Sequence, residues 1–397
     1  MAAPVSDPNR PAAGRGRTNA WWHLAFILWL EAGYFLTLAA FLRLSIPAAL
    51  WQAALCLLAG LPLLLGVVRA LGIPKRMRSL PRRLFHLIGA VLAILQFVVP
   101  WLAWSALLWL LNPGLSAPRA AAAGAGIAAF SYLTGFALIA FLHPRPSDVE
   151  VTHHDVAIPD LPHAFDGYRV LHLSDLHSGG FLSPQAVRAR LDIAADTERD
   201  LVIFTGDLAD RGAGRMAMTA DALGGVRARD GTIAVLGNHD HWVGEERAIS
   251  ALSERGVTVL ANSHLRLDRG GSAIYLAGVH DASYMARDDL EAALTGIPDS
   301  APVILLSHAP EIVFQPLAPR AALVLSGHTH GGQIVLPWLG PLYVPSPIGR
   351  SRAAGLHRLG RQWLFVNRGL GEVFPPIRIN CPPEVVVLTL RRAATSV

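Results

Sequence analysis

The stretch LVLSGHTHGGQ, residues 323–333, closes an apolar run with His328 and His330, one threonine apart and followed by two glycines. Four earlier apolar runs end in a similar way. YRVLHLSD ends at Asp175 with His177 two residues on, and LVIFTGD ends at Asp207. TIAVLGNHD ends in Asn238, His239 and Asp240, and APVILLSH ends at His308. Carboxylate, imidazole and amide oxygen are donors for borderline divalent ions such as Mn2+, Fe2+ or Zn2+, whereas an all-oxygen set would suit Mg2+ or Ca2+. So many donors exceed the needs of one ion, and two are implied. Residues two apart at a strand end point to one side, so Asp175 and His177 can serve one ion. The same spacing suggests that His328 and His330 chelate together, but the spacing alone leaves this open.

Elements must bring these donors together. Each run has the four to six consecutive apolar residues of a strand buried on both faces. Between the first two, SPQAVRARLDIAADTER reads as an amphipathic helix with Ser183 as its N-cap. Strand–helix alternation of this kind predicts βαβ units. Ligands of such folds sit just beyond the carboxyl ends of the strands, where all five runs place their donors.

The ordered series D-x-H, G-D-x-x-D, G-N-H-D, a lone H and G-H-x-H resembles the calcineurin-like metallophosphoesterases over residues 150–397. Flanking text such as LPHAFDGYRVLHLSDLHSGG and GHTHGGQIVLPWLGPLYVPS is similar to their bacterial YkuE/YaeI-like branch, whose members are often membrane-associated. The resemblance implies an α/β, four-layer α/β/β/α sandwich. It implies that Asp175, His177 and His330 hold one ion, that Asn238, His308 and His328 hold the other, and that Asp207 bridges them. Two ions about 3.5–4 Å apart share a hydroxide that attacks phosphorus in line. His239 then protonates the leaving oxygen, with Asp240 orienting it, and Asp210 supports the donors without ligating. His328 and His330 part company in this scheme, and Gly331 and Gly332 let the backbone pass close to ions and phosphate.

Not all 16 histidines can share this chemistry. His172 lies inside a strand and reads as a core residue, while His153, His154, His163, His264 and His357 read as surface. His280 with Asp281 is expected in a turn or pocket wall. His241 is a candidate substrate contact or a support for the donors, and Arg368 on the VNRGLG turn either grips a phosphate with its guanidinium or forms a structural salt bridge. No P-loop, HExxH or CxxC pattern is present, which removes NTPase, zincin and dithiol readings.

At 52% hydrophobic and 16% charged, the 397-residue chain is too apolar for a purely soluble protein. The apolarity concentrates before residue 145, in stretches at about 21–42, 49–71, 85–111 and 120–142, each long enough to cross a bilayer. The sequence therefore predicts a basic tail (1–20), a bundle of about four transmembrane helices (21–143) and a soluble domain (150–397). Arginines at 10, 15 and 17 and the loop PKRMRSLPRR place the tail and second loop inside, which puts the catalytic domain on the cytoplasmic side of a bacterial inner membrane. Glu31 falls within the first span, a functional candidate unless it pairs inside the bundle. Cys56 and Cys381 offer no disulfide framework, and the +5 net charge is explained by lipid and topology. No basic run interleaved with aromatics suggests nucleic acid, and no obligate protein partner is implied.

The expectation is a membrane-anchored phosphoesterase cleaving a phosphodiester or pyrophosphate bond, with Mn2+ as the favoured metal. The resemblance extends to some relatives that are pyrophosphatases acting on the lipid intermediate UDP-diacylglucosamine, which makes a lipid-linked substrate the preferred one. The alternatives are a broad nucleotide phosphodiesterase or phosphatase and, from another class, a metal-binding membrane scaffold without activity.

Overall fold

The computed structural model describes residues 148–393, apart from 211, 212, 284, 285 and 375, together with 104–112, 114–116, 119, 123 and 144. Residues 104–111 are helical, and no helix among the described residues is long and apolar enough to cross a membrane. The expected spans, apart from 104–111 and residue 123, lie outside the described residues. So do the basic tail and Glu31.

From residue 150 onward the chain forms two six-stranded mixed sheets. The first contains β1 (Glu150–Ile158), β2 (Arg169–Leu173), β3 (Leu201–Phe204), β4 (Thr232–Ala234), β5 (Val257–Val259) and β14 (Glu384–Arg392). Its order is β1-β14-β2-β3-β4-β5. The second contains β6 (Ser263–Arg269), β7 (Ser272–Gly278), β8 (Val303–Leu306), β9 (Leu323–Ser326), β12 (Gly355–Leu359) and β13 (Gln362–Val366), in the order β12-β13-β9-β8-β7-β6. The strands β2, β3 and β4 run parallel, as do β7, β8 and β9. The five donor-bearing ends therefore point the same way within each sheet.

Side-chain alternation separates the layers. In β2 and β3, Val170, Leu201 and Ile203 face the second sheet and meet Leu276, Ile304, Leu306, Leu323 and Leu325 in a core between the sheets. Their neighbours Leu171, Leu173, Val202 and Phe204 face outward. There they pack on α1 (Pro184–Ala195), α2 (Ala213–Gly224) and α3 (Asn238–Ser253) through Val187, Leu191, Met216, Leu223 and Leu252. The outer face of the second sheet is covered by α4 (Leu290–Leu294) and a short helical turn through Leu290, Ala293 and Ile312. Ser183 caps α1 by accepting from Ala186 N at 3.2 Å, with Pro184 in the first turn.

His172 is a core residue, fully buried, and its Nε2 donates to Thr205 Oγ1 at 2.9 Å. That hydroxyl donates onward to Ser174. Burial drives the His172 pKa down to about 3 from 6.5. A depressed histidine contributes stability that is present above pH 6.5 and is lost as pH falls toward 3. At roughly 1.4 kcal/mol per unit the loss is on the order of 4–5 kcal/mol. With chelator present throughout, a His172→Leu variant should show a flatter fall in unfolding free energy between pH 6.5 and 4 than the parent. Parallel curves would contradict this.

Candidate metal centre

Donors of four strand ends converge, and the fifth end, after β4, reaches the same loops through His239 and Asp240. Asp175, His177 and His330 present ligand atoms that all lie within 4.8 Å of one another, as do Asp175, Asp207 and His308. His177 Nε2 is 3.0 Å from His330 Nε2, and His330 Nε2 is 3.4 Å from Asp175 Oδ1. On the other side, His308 Nε2 lies 3.2 Å from His328 Nδ1. Asp207 sits between the groups, with Oδ2 at 3.3 Å from both His177 Nε2 and His308 Nε2.

The backbone is bent to achieve this. Asp175, His177, Asp207, His328 and His330 all have left-handed φ, between 47° and 69°. Five non-glycine residues in that region are costly and persist only where the surroundings hold them. Here the loops brace one another: Asp175 N donates to Gly206 O, His177 N to Asp207 O, and His328 N to the Asp175 carboxylate. Gly206 (φ 93°) must be glycine, because a Cβ there would strike the backbone of Leu236 and Gly237.

Outer nitrogens are also assigned. His177 Nδ1 meets Asp210 Oδ1 at 2.6 Å, His308 Nδ1 meets Thr205 O at 2.7 Å, and His328 Nε2 meets Pro345 O at 3.0 Å. These bonds fix each tautomer and turn the opposite nitrogen inward, the arrangement of metal-binding histidines. His330 is backed by Arg378, whose Nη2 is 3.4 Å from His330 Nδ1. Arg378 is itself buried and donates to the carbonyls of Arg368, Gly369 and Gly371.

Burial alone would raise the Asp207 and Asp175 carboxyls, but the surrounding histidines override it and hold both below the usual range. Both are therefore charged at neutral pH. Burial also pushes His330 down, while His177, buried as deeply, is held up by Asp210 and Asp175. The donor set fits divalent metal on a further observation: Asn238 Oδ1 is buried and has no hydrogen-bond partner, an uncompensated acceptor that costs stability unless something binds it.

Two expectations from the sequence change, and one open reading, that of Arg368, is decided for a salt bridge. Asp240 does not orient His239. Its carboxylate accepts from the backbone N–H groups of Asp207, Leu208 and Gly237 at 2.8–3.0 Å, and burial together with nearby Asp207 raises it to about 6. The partner of His239 is Asp210, whose Oδ1 is 2.7 Å from His239 Nδ1 as well as bonded to His177. Arg368 does not face the donors: its Nη2 pairs with Glu150 at 2.7 Å and Glu384 at 2.9 Å. Gly331 and Gly332 pack against Cys381, Arg368, Pro341 and Tyr343, so their small size serves the C-terminal loops. His241 stands in a separate group with Glu245 and His280, where Arg287 pairs with Glu245.

Asp210 gives a direct test of the outer support. Burial raises its carboxyl, and His177 with His239 overrides this and holds it ionised. Asp210→Asn should weaken Mn2+ binding by about 10–100-fold, measured by calorimetric titration. Unchanged affinity would show that Asp210 does not tune His177.

A mixed-sheet α/β sandwich with buried carboxylates and imidazoles converging at its strand ends has the make-up of a metal-dependent phosphoester hydrolase. Residues 168–332 match the family model described as calcineurin-like phosphoesterase. The uncharacterized metallophosphoesterase YkuE of Bacillus subtilis is 34% identical over 262 residues, covering 65% of this chain and 90% of that protein. A transmembrane protein with metallophosphoesterase domain from Danio rerio is 29% identical over 328 residues, 78% of this chain and 73% of its own. Among solved structures, Haemophilus influenzae NAD nucleotidase matches at a TM-score of 0.36 and 15% identity, over 51% of this chain and 45% of its own. The chain belongs to the calcineurin-like metallophosphoesterases and is a metal-dependent phosphoric ester hydrolase.

Proposed function

We propose that this chain is a membrane-anchored phosphoesterase that holds two divalent cations, Mn2+ being the favoured metal, and cleaves a phosphodiester or pyrophosphate bond. The observation that carries the reading is Asp207 Oδ2, equally placed at 3.3 Å from a histidine nitrogen of each donor group. Asp175, His177 and His330 would hold one cation, Asn238, His308 and His328 the other, and Asp207 both. Bound there, divalent cations supply Lewis acidity and an activated water.

The remaining chemistry is the chain's own. Asp210 accepts from His239 Nδ1 and so orients the ring; in its imidazolium form the ring would give its Nε2 proton to the leaving oxygen and keep the Nδ1 proton on the bond to Asp210. The Trp242 ring, with its centroid 4.4 Å from that of His239, limits the swing of the imidazole. Asp240 holds the loop of Asp207 to the start of α3 through its three backbone bonds.

A lipid-linked substrate such as UDP-diacylglucosamine is the specific reading, with the domain on the cytoplasmic side. The apolar segments before residue 145 support it. So does the Danio rerio relative, a transmembrane protein by name, whose match takes in 78% of this chain and so reaches into the residues before 148. The test is to purify the full chain, strip it with chelator, restore Mn2+, and compare lipid-linked with soluble phosphodiesters. Mn2+-dependent turnover that is faster on the lipid is expected. Preference for soluble nucleotides would replace the lipid reading, and no turnover of any ester would leave a metal-binding scaffold.

A further inference from the structure

A short hairpin rises five residues after His330 from strands β10 (Val335–Leu336) and β11 (Gly340–Pro341). Its tip is Pro337-Trp338-Leu339. Trp338 is fully exposed at 104% and sits in left-handed backbone (φ 62°), and Leu339 is 57% exposed. Leu342 and Tyr343 follow on the return side, also exposed. A bulky residue in that backbone region, with its ring in water, is disfavoured twice.

The tip is not a loose end. Leu339 N donates to Pro337 O, and Arg350 Nη2 donates to Leu339 O at 2.6 Å, which sets a cation against the apolar tip. At its base Val335 N donates to Ile379 O, and Gln333 exchanges bonds with Val373. Next to Val373, Phe374 is exposed and lies 6.3 Å from exposed Phe181. Phe181 follows His177 by four residues. Apolar side chains thus edge the same loops that carry the metal donors.

We infer that this hairpin docks into the surface of a lipid bilayer, with Trp338 and Leu339 entering the acyl boundary and Arg350 meeting anionic headgroup phosphates. Tryptophan and tyrosine carry an apolar body with a polar tip and suit that depth. A neighbouring guanidinium favours an anionic lipid surface over a neutral protein face. The apolar segments of the same chain end shortly before Glu150, so a bilayer is the surface at hand. This orients the donor cluster toward lipid and rests on the membrane reading above, but not on turnover.

Position is what the experiment reads. The full chain carrying Cys56→Ser and Leu339→Cys is spin-labelled at residue 339 and reconstituted into phosphatidylcholine–phosphatidylglycerol vesicles. Collisions with oxygen should exceed those with a water-soluble nickel chelate. A label at Glu291→Cys, an exposed position on the outer side of α4, should show the reverse preference. Leu342→Cys repeats the measurement should the first variant fold poorly. A label at 339 that meets nickel as readily as the one at 291 overturns the proposal. So does an immobilised label reached by neither reagent, which would mean protein covers the tip. An inactive protein with a lipid-exposed tip would overturn the phosphoesterase reading alone.

Discussion

Replacing Asp207 with asparagine is expected to strip most divalent cation from the protein and to lower phosphoester turnover by about 10²–10⁴-fold. Metal charge stabilisation is worth several kcal/mol, and each 1.4 kcal/mol is roughly a factor of ten. Among the described residues, this carboxylate alone lies within 3.3 Å of histidine nitrogens from both donor sets. An amide keeps the volume and one oxygen but loses the charge. The backbone contact survives, because His239 N donates to Asp207 Oδ1 at 2.9 Å and an amide oxygen can accept it. The variant should therefore fold, which thermal unfolding would verify, while elemental analysis reads the metal. Full metal content together with full turnover in the asparagine variant would remove Asp207 from the bridging role.

His239→Ala separates proton transfer from metal binding. Here turnover should fall by about 10²–10⁴-fold with metal content unchanged, since the ring is bonded to Asp210 and is absent from both donor groups around Asp207. The loss should shrink for an ester whose leaving group is a strong acid, which departs without a proton. Equal loss for good and poor leaving groups would assign His239 to phosphate binding. Loss of metal would make it a ligand.

The donors were legible because each closes an apolar run, and such runs become strands with loops at one end. What the sequence hid is partnership across space. Asp240 follows His239 directly and looks like its partner, but both lie in the first turn of α3, where neighbouring residues do not face each other. Asp210, from the loop after β3, fills the position instead. Arg368 on a glycine-rich turn looks ready for phosphate. The glutamates that occupy it come from β1 and the start of β14, and only the parallel pairing of the domain's first and last strands brings them together. Arg378 was missed for the opposite reason. It is a charge in the apolar stretch PPIRINCPP, and that burial next to prolines was the available signal.

The donor groups also divide by sheet. Asp175, His177, Asp207 and Asn238 follow strands of the first sheet, and His308, His328 and His330 follow strands of the second. Away from this edge the two sheets meet mainly through apolar packing, with Trp363 Nε1 donating to Ala157 O across them at 2.9 Å. Cations bound at the rim would act as a clasp between two plates, fixing their register at the edge where apolar packing does least. Chelation should then unfasten one edge of the sandwich, and hydrogen exchange should quicken first at the ends of β3, β8 and β9.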